Sequence, residues 1–200
     1  QKILERNGFK IIDCQLNDVN GGSFRVYCIK NKTDEKQFAT QSYRDVAKIR
    51  IDSLLEYEKT LKLDSVETWQ KFYNDVNKLK EKVVSFMEEE KSKGKVFFAA
   101  GASTKGSTVG QYFGLGKYIE SIVERSPAKF GLKTVGTNIP IISEKQFEEY
   151  FEKDNSLFEN TFLFLFPWHF VDSFKKRYSW FLERGGKMVV SNPKFEIITA

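Results

Sequence analysis

Val96-Phe97-Phe98-Ala99-Ala100-Gly101-Ala102-Ser103-Thr104-Lys105-Gly106-Ser107-Thr108 decides how this chain folds. Five uncharged residues, too few for a helix, run into a glycine-rich turn and then into a segment of helical period, which reads as a buried strand delivering into a helix. The pattern recurs downstream. Residues 118–123 read as a second strand, 139–142 as a short third, 161–166 as a fourth and 187–190 as a fifth. Helices are predicted over 107–113, over 144–151 with Ser143 as cap, and over 168–183, ended by Gly185-Gly186. The fourth strand carries no charge, so it is expected at the centre of the sheet, covered on both faces. Strands alternating with helices predict a parallel sheet with right-handed crossovers, so residues 94–200 are expected to form a Rossmann-like α/β domain.

Upstream of that domain the period changes. Ala47, Ile51, Leu54, Leu55 and Leu61 fit one helical stripe, and Val66, Trp69, Phe72, Val76, Leu79, Val83 and Phe86 fit a second. Asp64-Ser65 is the predicted cap between them, and the aromatics read as core packing rather than a cofactor box. Residues 1–30 begin with a helix end stopped by Asn7-Gly8, followed by a strand over 9–16, a turn over 17–22 and a return strand over 23–29. A β-hairpin with no sheet of its own is marginal in water. It is therefore expected to belong to an upstream domain. Gln1 opens inside a charged helical phrase, Gln1-Lys2-Ile3-Leu4-Glu5-Arg6, with no signal peptide or lipidation signal. The sequence reads as part of a longer chain, organised as a terminal hairpin over 1–30, a helical linker over 31–93 and the α/β domain over 94–200.

Composition narrows the function classes. The 200 residues are 40% hydrophobic and 30% charged, which excludes bulk disorder. No apolar run approaches the ~20 residues that a membrane span requires. The net charge is +5, yet Lys and Glu interleave through Lys78-Leu79-Lys80-Glu81-Lys82 and Glu88-Glu89-Glu90-Lys91. That is the pattern of a solvated helix face, whereas a phosphate-backbone binder gathers one sign on one surface. No nucleic-acid or membrane partner is expected. Cys14 and Cys28 could face each other across the hairpin, but they are read as buried, reduced thiols of a cytoplasmic protein. Two cysteines and one histidine make no metal cluster.

In an open parallel sheet, ligands bind beyond the carboxyl ends of the strands. The loops there carry the candidate binding residues Lys105, Gly106, Ser107 and Thr108 after the first strand, then Glu124 and Arg125, then Asn138, and finally Trp168 and His169. Ser107 and Thr108 are expected where free N–H groups and the positive end of the helix would hold an anion, with Lys105 adding a full charge. The loop misses the P-loop by one residue, because Ser107 stands where that motif needs Lys. The fourth strand ends in Pro167-Trp168-His169 with no carboxylate for magnesium, so an NTPase is disfavoured. The glycines could equally serve only close strand–helix packing. Glu124 lies about 20 residues after the turn, where dinucleotide-binding folds place a ribose-binding carboxylate. Its alternative is an ion pair with Arg125 or Lys129. No catalytic nucleophile–base pair is visible.

The motifs Gly101-Ala102-x-x-Lys105-Gly106-x-Thr108, Val123-Glu124-Arg125-Ser126-Pro127-x-Lys129-x-Gly131, Gly136-Thr137-x-Ile139-Pro140-Ile141, Pro167-Trp168 and Gly185-Gly186-Lys187 together resemble the C-terminal domain of S-adenosylmethionine-dependent C-methyltransferases. That family includes enzymes that methylate nucleotide-linked deoxysugars. Glu5-Arg6-Asn7-Gly8-Phe9 and Gly21-Gly22-Ser23-Phe24-Arg25-Val26-Tyr27 look like the closing hairpin of the family's catalytic domain. The resemblance implies a three-part parent: an N-terminal zinc module, a middle domain holding S-adenosylmethionine, and this Rossmann-like domain on the substrate side. It implies proton abstraction beside a keto group followed by methyl transfer to the carbanion, with the bases, cofactor loop and zinc cysteines all upstream of Gln1. No cofactor is expected in this segment. The family usually has Asp where Glu124 stands, His where Asn138 stands, Asn where His169 stands and Tyr where Ala100 stands, departures that bear on substrate identity. The alternative role is a non-catalytic interaction or dimerisation module.

Overall fold

A computed structural model describes residues 1–200, which divide into two compact units, Gln1–Tyr73 and Asn74–Ala200. In the first, α1 (Lys2–Arg6) ends where Gly8 turns the chain at φ +77°. Strands β1 (Phe9–Asn17) and β2 (Ser23–Lys30) then form a two-stranded antiparallel sheet, the predicted hairpin, running from Phe9 opposite Lys30 to Asn17 opposite Ser23. Helix α2 (Gln41–Thr60) starts at Thr40, whose hydroxyl accepts the Tyr43 N–H, and lies against β1.

What joins hairpin to helix is polar. The fully buried Asp13 carboxylate accepts Arg50 Nε at 2.9 Å and Nη2 at 2.8 Å, Tyr43 Oη at 2.6 Å and Gln15 Nε2 at 2.7 Å. The Arg50 guanidinium, working against burial, holds the Asp13 carboxyl at about 2. Ala47 is the unit's only buried apolar residue. The cysteines depart from expectation. Cys14 stands opposite Val26 and Cys28 opposite Ile11, and the first is half-buried while the second is exposed. Helix α2 covers Cys14 only in part, and Cys28 stays on the surface.

Helix α3 (Val66–Ser92) carries the chain into the second unit. There β3 (Val96–Ala100), α4 (Thr104–Phe113), β4 (Ile119–Glu124), β5 (Ile141–Ser143), α5 (Glu144–Phe151), β6 (Thr161–Leu165), α6 (Val171–Arg177), α7 (Ser179–Glu183), β7 (Lys187–Val190) and β8 (Glu196–Ile198) follow in order. The six-stranded sheet runs β5-β4-β3-β6-β7-β8, with the first five strands parallel. Every residue of β6 is buried, as an uncharged central strand should be. Alternation sends Phe97, Ala99, Phe162 and Phe164 to one face with Val83, Met87 and Phe113, and Phe98, Ala100, Leu163 and Leu165 to the other with Phe147, Phe151, Phe174 and Phe181. Helices thus cover both faces, the doubly wound arrangement of a Rossmann-like fold.

Four features depart most from the sequence reading. The sheet is not wholly parallel, since β8 returns antiparallel to β7. Helix α4 begins at Thr104 rather than Ser107, because Ser103 caps it by accepting the Gly106 N–H. The third strand occupies Ile141–Ser143, and Ser143 closes a capping box with Gln146. The helix predicted over 168–183 breaks at Tyr178, whose buried hydroxyl donates to Glu144 Oε1 at 2.9 Å, leaving α6 and α7 on either side.

Candidate functional site at the carboxyl ends of the strands

The chain leaves β3 toward β4 and β5 on one side, then recrosses to β6 on the other, so the switch point lies between the carboxyl ends of β3 and β6. There the two loops meet. Gly101, at φ +84°, donates its N–H to Val123 O, and a Cβ on it would fall 2.7 Å from Pro167 Cγ. Only glycine fits that approach. The apposition brings Lys105, in the first turn of α4, into the field of His169, which sits in the short 3₁₀ turn Trp168–Phe170. Burial, and after it the Lys105 charge, lowers the basicity of the imidazole and favours its neutral form at pH 7. His169 Nδ1 is buried with no hydrogen-bond partner.

The anion-holding groups are not the ones predicted. With Ser103 as cap, the first-turn N–H groups belong to Thr104, Lys105 and Gly106, and Ser103 Oγ takes that of Gly106. The Ser107 N–H already donates to Ser103 O at 2.9 Å, and the Thr108 hydroxyl donates to Thr104 O at 3.1 Å. Ser107 and Thr108 therefore sit one turn inside the helix. Gly106 serves packing: a Cβ there would fall 2.8 Å from the Phe166 side chain. Phe166 lines a narrow crevice together with Gly106, Ser107, Gly110, Thr134 and Thr137, and the gap between them has no room for a water molecule. The site is an open rim, not a deep pocket.

Glu124, the last residue of β4, is engaged on every side. Its Oε1 accepts the N–H groups of Arg125 at 2.8 Å and Ser126 at 3.2 Å, and its Oε2 accepts the Ala102 N–H at 3.0 Å and Lys129 Nζ at 3.2 Å. Lys129 also donates to Ala102 O at 2.7 Å. Burial raises the carboxyl pKa, but the two backbone donors and Lys129 outweigh it, and the net shift is downward. The carboxylate clips the glycine-rich turn to the loop after β4. Of the two alternatives open in the sequence, the ion pair with Lys129 is present, while the Arg125 side chain stays exposed.

Asn138 is exposed in the left-handed region at φ +55°, and its N–H closes the turn onto Thr134 O. That loop packs Thr137 against Gly110 and Gly116, beside the later part of α4. Trp168 is half-buried against the α5–α7 side of the core. The structure thus joins Lys105, Trp168 and His169 at the switch point, ties Glu124 into the scaffold, and leaves Arg125 and Asn138 on neighbouring exposed loops. Sequence reasoning missed Ser103 and Phe166. Ser103 was one of four neighbouring hydroxyl residues able to cap, with no local signal to select it, and nothing local announces that Phe166 turns into the crevice. No three His, Cys, Asp or Glu side chains converge where a metal could sit.

The matched family model, described as the C-methyltransferase C-terminal domain, covers residues 18–193. A curated relative, the C-methyltransferase NovU of Streptomyces niveus, is 23% identical over 199 residues, which is 99% of this chain and 43% of the relative. The chain therefore spans less than half the length of that relative. Doubly wound fold, ordered motifs and family match agree: the chain belongs to the C-methyltransferase C-terminal domain family.

Proposed function

We propose that this chain is the substrate-side portion of an S-adenosylmethionine-dependent C-methyltransferase acting on a nucleotide-linked sugar, and that the rim between β3 and β6 holds the anionic part of that substrate. The observation that carries this reading is the close approach of the loops after β3 and β6, Gly101 against Pro167, which sets half-buried His169 in the field of Lys105. A phosphate there would meet the Lys105 ammonium and the positive end of the ten-residue α4. The imidazole offers Nε2–H as a neutral donor, and Trp168 forms the wall. Exposed Arg125 and Asn138, on the loops after β4 and before β5, would be available to the sugar. Glu124 would reach a sugar hydroxyl only by giving up one of its present donors.

The cofactor does not fit this chain's glycine-rich turn, since Pro167 closes on Gly101 and Phe166 on Gly106. The same holds for zinc, for want of converging ligands. Both groups, and the bases of the reaction, are assigned to an upstream methyltransferase domain. No chemical step is assigned to residues 1–200. A cytoplasmic setting is part of this reading. It is supported by unpaired cysteines and by the lack of any helix long and apolar enough to cross a membrane.

Calorimetry with a nucleotide sugar, on the longer protein and its Lys105→Ala variant, tests the assignment. An anion at a helix N-terminus gains about 0.3–1 kcal/mol from the dipole and up to ~2 when partly buried. With the ammonium also removed, a loss of about tenfold is expected, and unchanged affinity would contradict the reading. A second reading has its own support: Gly101 and Gly106 are filled by close packing and Glu124 is internally satisfied, as in a module whose role is association. On that reading Gly106→Ala lowers the melting temperature and no substitution on the rim changes affinity for nucleotide sugars.

A further inference from the structure

We infer that the first two turns of α3 pair with the same turns of a second copy of this chain, the two helices running antiparallel and crossing at Trp69. Val66, Trp69, Phe72 and Tyr73 recur at the steps of three and four that mark one face of a helix, and all four are more than half exposed. Farther along the same stripe, Val76, Leu79, Val83 and Met87 pack against the core of the second unit. The stripe is thus a packing surface whose first two turns are left in solvent.

Three observations select a second copy as the occupant. The stripe is symmetric about Trp69, with Val66 three residues before it and Phe72 three after. A two-fold axis there sets Trp69 against its own counterpart and Val66 against Phe72, the self-complementarity that an isologous interface requires. The stripe is also uncharged. Glu67 and Lys71 fall on the far side of the helix, so the pairing buries no ion and opposes no like charges. The indole N–H needs no new partner, since Trp69 Nε1 donates to Leu63 O at 2.7 Å. The third observation is area. Aromatic side chains bury about 150–250 Å² each, so three half-exposed rings with Val66 and the bordering Leu63 offer roughly 500 Å² per copy. A symmetric pair then buries about 1,000 Å², the size at which specific but weak association begins. The inference does not rest on the substrate reading of the rim, and it gives the association reading a defined surface.

Sedimentation velocity of residues 1–200 and of the longer protein, from about 1 to 300 μM, tests the pairing by mass action. Both should pass from monomer to dimer as concentration rises. Phe72→Lys buries an unpaired charge against Val66 of the second copy and should weaken the dimer at least about tenfold. Adding Val66→Glu sets opposite charges across the two-fold axis and should recover most of that loss. With Cys14 and Cys28 replaced by serine, Trp69→Cys should cross-link to itself through a short bismaleimide, because the axis brings this residue beside its own copy. Glu67→Cys, on the outer face, should not. All these positions are exposed, so the variants at low concentration should melt within about two degrees of wild type. A longer protein that stays monomeric throughout overturns the inference, since another part of it then covers the stripe. So does a dimer that Phe72→Lys leaves intact, or a Glu67→Cys cross-link as strong as that of Trp69→Cys. Nucleotide-sugar affinity and its loss in Lys105→Ala are read separately, so failure of the pairing and failure of the rim assignment give different results.

Discussion

Residues 74–200 bury Phe97, Phe162, Phe164 and Phe181 between helices on both faces of a six-stranded sheet, whereas residues 1–73 bury one apolar residue, Ala47, and leave Phe24, Ile49 and Trp69 more than half exposed. The same chain thus contains a unit with a complete apolar core and a unit whose two pieces meet at a buried carboxylate. The difference shows what each unit needs. The first has enough apolar burial to hold its loops in a fixed constellation, which a binding rim requires. The second is stabilised by a directional clamp and leaves apolar side chains in solvent.

The largest expected effect comes from truncating both units alike. Phe164→Ala should cost about 3–5 kcal/mol, through lost transfer energy and an unfilled cavity. Phe24→Ala in residues 1–200 should stay within about 0.5 kcal/mol, as for an exposed position without special contacts. Urea unfolding of both variants checks this, and equal losses would break the contrast. Next comes the clamp. Asp13 has a folded pKa of about 2, below the ordinary 3.8, so its contribution is complete above the unfolded value and is lost as pH falls through the folded one. Hydrogen exchange of the β1–β2 amides should show the hairpin opening more readily between about pH 4 and pH 2, by on the order of 2 kcal/mol at the extreme. Asp13→Asn should abolish that pH dependence and lower hairpin protection at neutral pH. The amides of β3 and β6 should show neither change.

Gly106→Ala sharpens the comparison from the other side. In an open helix the substitution gains up to about 1 kcal/mol of helix propensity. Here the new methyl would meet Phe166 at 2.8 Å, and overpacking of about 1–3 kcal/mol should outweigh that gain. Thermal melts of residues 1–200 should therefore show a loss, where a mere glycine-rich loop would show a gain.

How far each unit could be read from sequence follows from how local its determinants are. The run Thr161-Phe162-Leu163-Phe164-Leu165, the Ser143 cap and the Gly101 turn act over a few residues, and from them the alternating strands and the crossovers were legible, whereas the strand order that sets the switch point was not. The start of α4 was not, because Ser103, Thr104, Ser107 and Thr108 are all chemically able to cap and only geometry selects Ser103. At the break Tyr178 bonds to Glu144, 34 residues away, and the Asp13 clamp joins Arg50, 37 away. Neither pair leaves a periodic trace. Strand β8 is three residues long, too short for alternation to show. For the candidate site, the loops that follow the strands were legible, but the engagement of Glu124 and the packing of Phe166 along the crevice are tertiary facts.

His169 is the only histidine, so its ring resonances report on the rim without assignment ambiguity. The most direct measurement is a pH titration of those resonances by NMR in wild type and Lys105→Ala, with and without a nucleotide sugar. The wild-type imidazole should titrate below its ordinary 6.5, and removing the Lys105 charge should move it upward while leaving the part due to burial. Added nucleotide sugar should shift the wild-type resonances saturably and those of Lys105→Ala only at about tenfold higher concentration. An ordinary titration insensitive to Lys105, together with resonances that ignore the nucleotide sugar, would contradict a substrate-binding rim at the switch point.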